Sequence, residues 1–182
     1  INPALREACP DETAESHIEA LDAALTKHAD DWVVVASHYP MVTGGPHGGL
    51  TYGLIGDAIV GLIAWRLGGL GNTYEPGYAD WIAAAQPAFR KHPPVAYAAG
   101  HDHNLQVLEA GDVAGAYLVS GAGAPERVST VTHIPETIFA HAHPGFMVID
   151  FGTRDGAEAA VVRIIENGKA EPVFEMDLID AP

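Results

Sequence analysis

Gly100-His101-Asp102-His103-Asn104-Leu105-Gln106 decides how this chain is read. The apolar run before it, Val95-Ala96-Tyr97-Ala98-Ala99, predicts a short buried strand, so two imidazoles stand where a strand ends and a loop begins. Gly100 is expected to let the backbone turn sharply there. In an extended segment residues i and i+2 share a side, so His101 and His103 are expected to face one small object, with Asp102 directed away. A metal ion is the natural object, because neutral imidazole is a good ligand for zinc, iron and manganese. One His-x-His pair is a weak signal, since two solvated loop histidines look the same. Trp32-Val33-Val34-Val35-Ala36-Ser37 strengthens it: a second continuous apolar strand, predicted to be buried on both faces, that also ends in a histidine, His38, before Tyr39-Pro40. Two such strands point to one shared site.

The remaining chain supports a compact α/β body. Its 182 residues are 48% hydrophobic with no low-complexity tract, which fits one domain over residues 1–182. The formal charge is −15, and the nine Lys and Arg nowhere cluster, which argues against a nucleic-acid surface. An anionic partner would therefore need local cations such as bound metals. The single cysteine, Cys9, excludes an internal disulfide and leaves the compartment open, and Ile1-Asn2-Pro3 is not a signal peptide.

Pro10-Asp11-Glu12 reads as a helix start, followed by an amphipathic helix over about 12–29 with Ile18, Leu21, Ala24 and Leu25 on one side and Glu12, Glu15, Glu19 and Asp22 solvated. Met41 to Gly49 is a glycine-rich loop, expected to be flexible enough to fold back over a site, and it carries His47. Residues 50–71 show a helical apolar stripe weakened by six glycines and broken by Asp57 and Arg66. No run there reaches the roughly 18 uncharged residues of a membrane span, so the stretch reads as an apolar lid or docking surface rather than as a membrane contact. A second helix is predicted over 80–90, ended by Pro93-Pro94, with Trp81, Ile82, Ala85 and Phe89 inward. Strands are predicted at 105–108 and 116–119, then a long loop at 124–144 holding His133, His141 and His143, and a closing antiparallel meander at 146–151, 159–165 and 172–178. His141 and His143 form another His-x-His, without the strand-then-glycine context of His101 and His103.

Val35-Ala36-Ser37-His38-Tyr39-Pro40, His47-Gly48 nine residues after His38, Gly100 to Gln106, Ser120-Gly121-Ala122-Gly123 and the strand Gly145 to Asp150 together resemble the C-terminal half of a calcineurin-like metallophosphoesterase. Within that superfamily they look most like the purple (tartrate-resistant) acid phosphatases, over roughly residues 12–165 with an apolar insertion at about 49–76. The resemblance implies a four-layer αββα sandwich of mixed β-sheets flanked by helices, of which this chain is the C-terminal half. It also implies a phosphoric-ester hydrolase that uses two metal ions, iron paired with iron, zinc or manganese, and a secreted, periplasmic or extracellular location. His38 and His101 would bind one metal and His103 the other. His47 would hold substrate phosphate or protonate the leaving group, and Asn104 would contact substrate.

The family's remaining ligands, two Asp, an Asn and a Tyr, lie in blocks G-D-x-G, G-D-x-x-Y and G-N-H ahead of V-x-x-H, and the 37 residues before His38 contain none of these. Gly56-Asp57, Gly111-Asp112 and Gly71-Asn72-Thr73 each fail the patterns and follow His38. An N-terminal half, as a second chain or a lost fragment, is therefore expected to carry them. Two alternatives fit the same residues: a non-catalytic module of the same fold acting in assembly, and a mononuclear zinc site of His38, His101 and His103.

Overall fold

The computed structural model describes residues 13–48, 73 and 76–179. Cys9, the Pro10-Asp11-Glu12 start signal and all of the expected insertion except Thr73 and Pro76 lie outside the described residues.

Helix α1 (Ala14–Lys27) is capped by Thr13, whose hydroxyl accepts from the Ser16 N–H while the Ser16 hydroxyl accepts from the Thr13 N–H. Such a reciprocal cap contributes about 1 kcal/mol. Leu25 is buried against α2 (Pro76–Lys91), which buries Ala85, Ala88 and Phe89. At the surface Lys91 reaches Asp22 at 3.3 Å and ties the two helices together. The acidic face of α1 is thus solvated or paired, as its pattern predicts.

Strands β1 (Val34–Ala36), β2 (Ala96–Ala99), β3 (Leu105–Leu108), β4 (Tyr117–Ser120) and β5 (Thr137–His141) form one sheet in the order β1-β2-β4-β3-β5. β1, β2 and β4 run parallel, and β3 runs antiparallel to β4 and β5. The period of two divides the central strands cleanly. Tyr97, Ala99, Leu108 and Tyr117 pack on the helices, whereas Ala96, Leu105, Val107 and Leu118 pack on a second sheet. That sheet is the antiparallel meander β6 (Gly145–Arg154), β7 (Ala157–Glu166) and β8 (Phe174–Ile179), which contributes Ala160, Val162, Ile164 and Leu178. The described residues therefore make three layers: helices, mixed sheet and antiparallel sheet. The fourth layer of the expected sandwich is not among them.

Two expectations fail. β1 is not buried on both faces, since Val34 is 36% exposed while Val33 and Val35 pack on the helical core. Among the described residues β1 is an edge strand with a partner on one side only. Residues 124–144 are not one long loop either. They hold a 3-10 turn at Pro125–Arg127 and the strand β5, which pairs with β3 so that His141 stands opposite Leu105.

The topology concentrates chemistry on one rim. The chain leaves β1 toward His38, β2 toward His101 and β4 toward Gly121 at the same edge of the sheet, β3 starts there, and β5 ends there in His141.

Candidate metal centre

The turn after β2 is tighter than an extended strand end. Asp102 N–H donates to the Gly100 carbonyl at 2.8 Å and Asn104 N–H to the Asp102 carbonyl at 2.9 Å, two successive three-residue turns. His101 sits at the centre of the first with φ +64°, a left-handed value that is uncommon for a residue with a Cβ. The sharp turn expected of Gly100 is made by His101. A Cβ on Gly100 would meet only the His38 carbonyl, at 4.0 Å.

This turn brings His101 Nδ1 to 3.1 Å from His38 Nε2, with the His47 ring centred 3.9 Å from that of His101. Tyr39 packs edge-on against His101 at 4.5 Å. The segment after His38 is pinned from two elements: Tyr97 in β2 donates to the Tyr39 carbonyl at 3.0 Å, and Tyr78 in α2 donates to the Pro40 carbonyl at 2.9 Å. Burial pushes both phenols above their ordinary range, so they remain donors.

Asp102 is directed away from the histidines and does something the sequence reading did not find. Its carboxylate is fully buried, accepts from the Thr43 hydroxyl at 2.6 Å and accepts from the His47 N–H at 3.2 Å. Gln106 continues this clamp: its Oε1 accepts from Gly44 N–H at 2.7 Å, and its Nε2 donates to Thr43 Oγ1 at 2.9 Å and to Asn104 Oδ1 at 2.7 Å. Asn104 Nδ2 donates to Ser129 Oγ and to the Thr130 carbonyl. Asn104 is fully buried with both ends of its amide engaged, so the structure does not bring it to a surface where substrate could meet it. Gly44, Gly45 and Gly48 of the 41–49 loop each sit where a Cβ would meet a neighbour. A Cβ at Gly45 would overlap the Asp102 carboxylate, and one at Gly121 the Asp102 carbonyl.

His103 is anchored by the turn after β4. Its Nδ1 lies 3.0 Å from the Arg127 carbonyl, which can only accept, so Nδ1 carries the proton and Nε2 of the neutral ring is left with its lone pair. Among the described residues three His or carboxylate donor atoms within 4.8 Å of one another occur at His141, His143 and Glu166, and not at His38, His101 and His103. The mononuclear three-histidine site is therefore not assembled in this structure.

The imidazoles fit part of a metal centre. Two nitrogens on one tetrahedral ion with bonds of about 2.0–2.1 Å stand about 3.3 Å apart, close to the 3.1 Å between His38 and His101. The separation of the two nitrogens is therefore compatible with one ion held between the rings. No carboxylate among the described residues joins that pair in a group of three donors, since Asp102 is committed to the clamp.

No protein-family model matches the chain. It is 30% identical over 112 residues to tartrate-resistant acid phosphatase type 5 of Oryctolagus cuniculus, an alignment covering 62% of this chain and 26% of that protein. Its fold is similar to that of a solved structure described as GAP50, the anchor in the inner membrane complex of Plasmodium, with a TM-score of 0.60 and 18% identity over 90% of this chain and 42% of that one. The chain thus spans about a quarter of the curated relative and under half of the solved one, and what it shares with them is distant sequence similarity to a purple acid phosphatase and an α/β fold of mixed and antiparallel sheets.

Proposed function

We propose that this chain is the histidine-bearing half of a phosphoric-ester hydrolase of the purple acid phosphatase type, completed by an N-terminal half that carries the carboxylate ligands. One observation carries the reading: His38 and His101, at the ends of adjacent parallel strands, hold their nitrogens 3.1 Å apart beside His47. Similarity to an acid phosphatase supports it. So does electrostatics, because three neutral imidazoles cannot neutralise two multivalent cations and further donors must be anionic.

His38 and His101 would hold one ion, and His103, through Nε2, the other. Bound there, iron paired with iron, zinc or manganese would supply positive charge to the phosphoryl oxygens and ease deprotonation of water. His47, held by Asp102 through its backbone, would donate a proton to the leaving oxygen as the ester P–O bond breaks and the new P–O bond to water oxygen forms. The half-exposed β1 and the exposed His38 beside it offer the N-terminal half an edge to join.

The test is to combine this chain with a polypeptide that carries the G-D-x-G, G-D-x-x-Y and G-N-H blocks and to measure metal content and hydrolysis of an aryl phosphate. Two tightly held ions and turnover are expected, with His101→Ala lowering turnover about 100-fold or more. Unchanged metal content in His101→Ala would falsify the reading. The fold shared with a protein described as an anchor supports a second reading, a non-catalytic assembly module, which predicts a folded complex without metal.

A further inference from the structure

We propose that His141, His143 and Glu166 form a second cation site, one that takes a borderline divalent ion such as zinc and fastens the two sheets together. The ligand-bearing atoms of these three residues lie within 4.8 Å of one another. His141 Nε2 is 2.7 Å from Glu166 Oε2, and the His141 and His143 rings stack with centroids 4.6 Å apart. The cluster is not a loose surface gathering, since the side chains of His141 and Glu166 are only 21% and 14% exposed. Each is fixed by a ladder, His141 at the end of β5 opposite Leu105 and Glu166 at the end of β7 opposite Gly145. Two imidazoles and one carboxylate are a familiar donor set for zinc, with a fourth position left to water.

The site is separate from the His38–His101 pair. β5 lies three strands from β2 in the sheet, about 14 Å at the usual strand spacing of about 4.8 Å. A cleft of about 420 Å³ lined by Pro144, Gly145, Phe146, Glu166, Asn167 and Lys169 gives an ion access from solvent. One neighbour competes. Lys169 Nζ lies 3.0 Å from Glu166 Oε2, which also meets His141 Nε2 at 2.7 Å, so the carboxylate stands between two donors. An incoming ion replaces the proton on His141 Nε2 and displaces the Lys169 ammonium, whose 53% exposed side chain can swing into water. Because β5 belongs to one sheet and β7 to the other, the bound ion joins both layers.

The experiment is a zinc titration of the purified chain against a chromophoric chelator, with melting temperature followed in parallel. One zinc per chain is expected to persist in the His38→Ala/His101→Ala double variant, which removes the centre proposed above and so separates the two readings. His143→Ala, at an exposed position, and Glu166→Gln, which keeps the hydrogen bond to His141, should each weaken zinc binding at least tenfold. Both should abolish the rise in melting temperature that zinc produces in the parent chain. Lys169→Met removes a competing charge, so zinc should bind about fivefold tighter to it. Parent-like binding in both His143→Ala and Glu166→Gln, or weaker binding in Lys169→Met, overturns the proposal.

Discussion

His101 holds a backbone conformation that costs a residue with a Cβ roughly 1–2 kcal/mol. Such a residue persists where surrounding bonds over-determine it, here the Asp102 N–H to Gly100 carbonyl bond and three packed rings. Glycine would relieve the strain and alanine would not. His101→Gly is therefore expected to be about 1 kcal/mol more stable than His101→Ala in urea denaturation, although both lose the imidazole equally. Equal stabilities would show that the left-handed turn is not retained. The pairing of His38 with His101 was legible from two strands ending in histidine, but the extended backbone expected from His101 to His103 is replaced by two successive turns. Asp102, Asn104 and Gln106 went unread as a clamp because Thr43, Gly44 and His47 lie 55 to 63 positions away from the residues they bond, beyond any local period.

Among the elements, α2 carries an internal proline, Pro87, on its exposed side. Lacking an N–H, the proline denies the Ala83 carbonyl a helical partner. Pro87→Ala should raise stability by about 1–3 kcal/mol, read from the denaturation midpoint, and a fall would mean the proline is needed to seat Phe89. Tyr78 on the same helix is held neutral by burial, as are Tyr97 and Tyr117. A phenol with its folded pKa raised gives stability that is complete below the unfolded value of about 10 and lost as pH climbs above it. Unfolding should accordingly ease sharply above about pH 10, with Tyr78→Phe showing a shallower alkaline loss; identical slopes would mean Tyr78 ionises freely in the fold. Elements with strong periodicity, α1, α2, β2 and the final meander, were visible in the sequence. β5 was hidden, because a five-residue edge strand between Pro135 and Pro144 offers only Thr137, Ile138 and Phe139 as a signal. The Asp155-Gly156 hairpin, with φ of 55° and 86°, extends β6 and β7 beyond their apolar cores into residues that periodicity leaves out.

At the scale of the whole chain, this half contributes a field that repels the anion it is proposed to process. With 24 acidic and nine basic residues, its far field opposes a phosphate dianion unless charge at the rim or on the N-terminal half offsets it. Raising ionic strength from about 20 to about 200 mM should therefore increase kcat/KM for an aryl phosphate, by about threefold, as the repulsion is screened. A decrease would mean that cations at the rim dominate the approach. No helix among the described residues is long and apolar enough to cross a membrane.

The alternation of rings and hydrogen-bonding side chains along Gly100 to Gln106 has an evolutionary corollary. Letters proposed to do chemistry and letters that keep shape are interleaved: His101 and His103 could be erased while Asp102, Asn104 and Gln106 went on fastening the loop they bond. A descendant stripped of activity would still display most of the signature. Genome searches keyed to the acidic and amide positions would gather extinct catalysts with living ones, and only the imidazole positions would tell them apart.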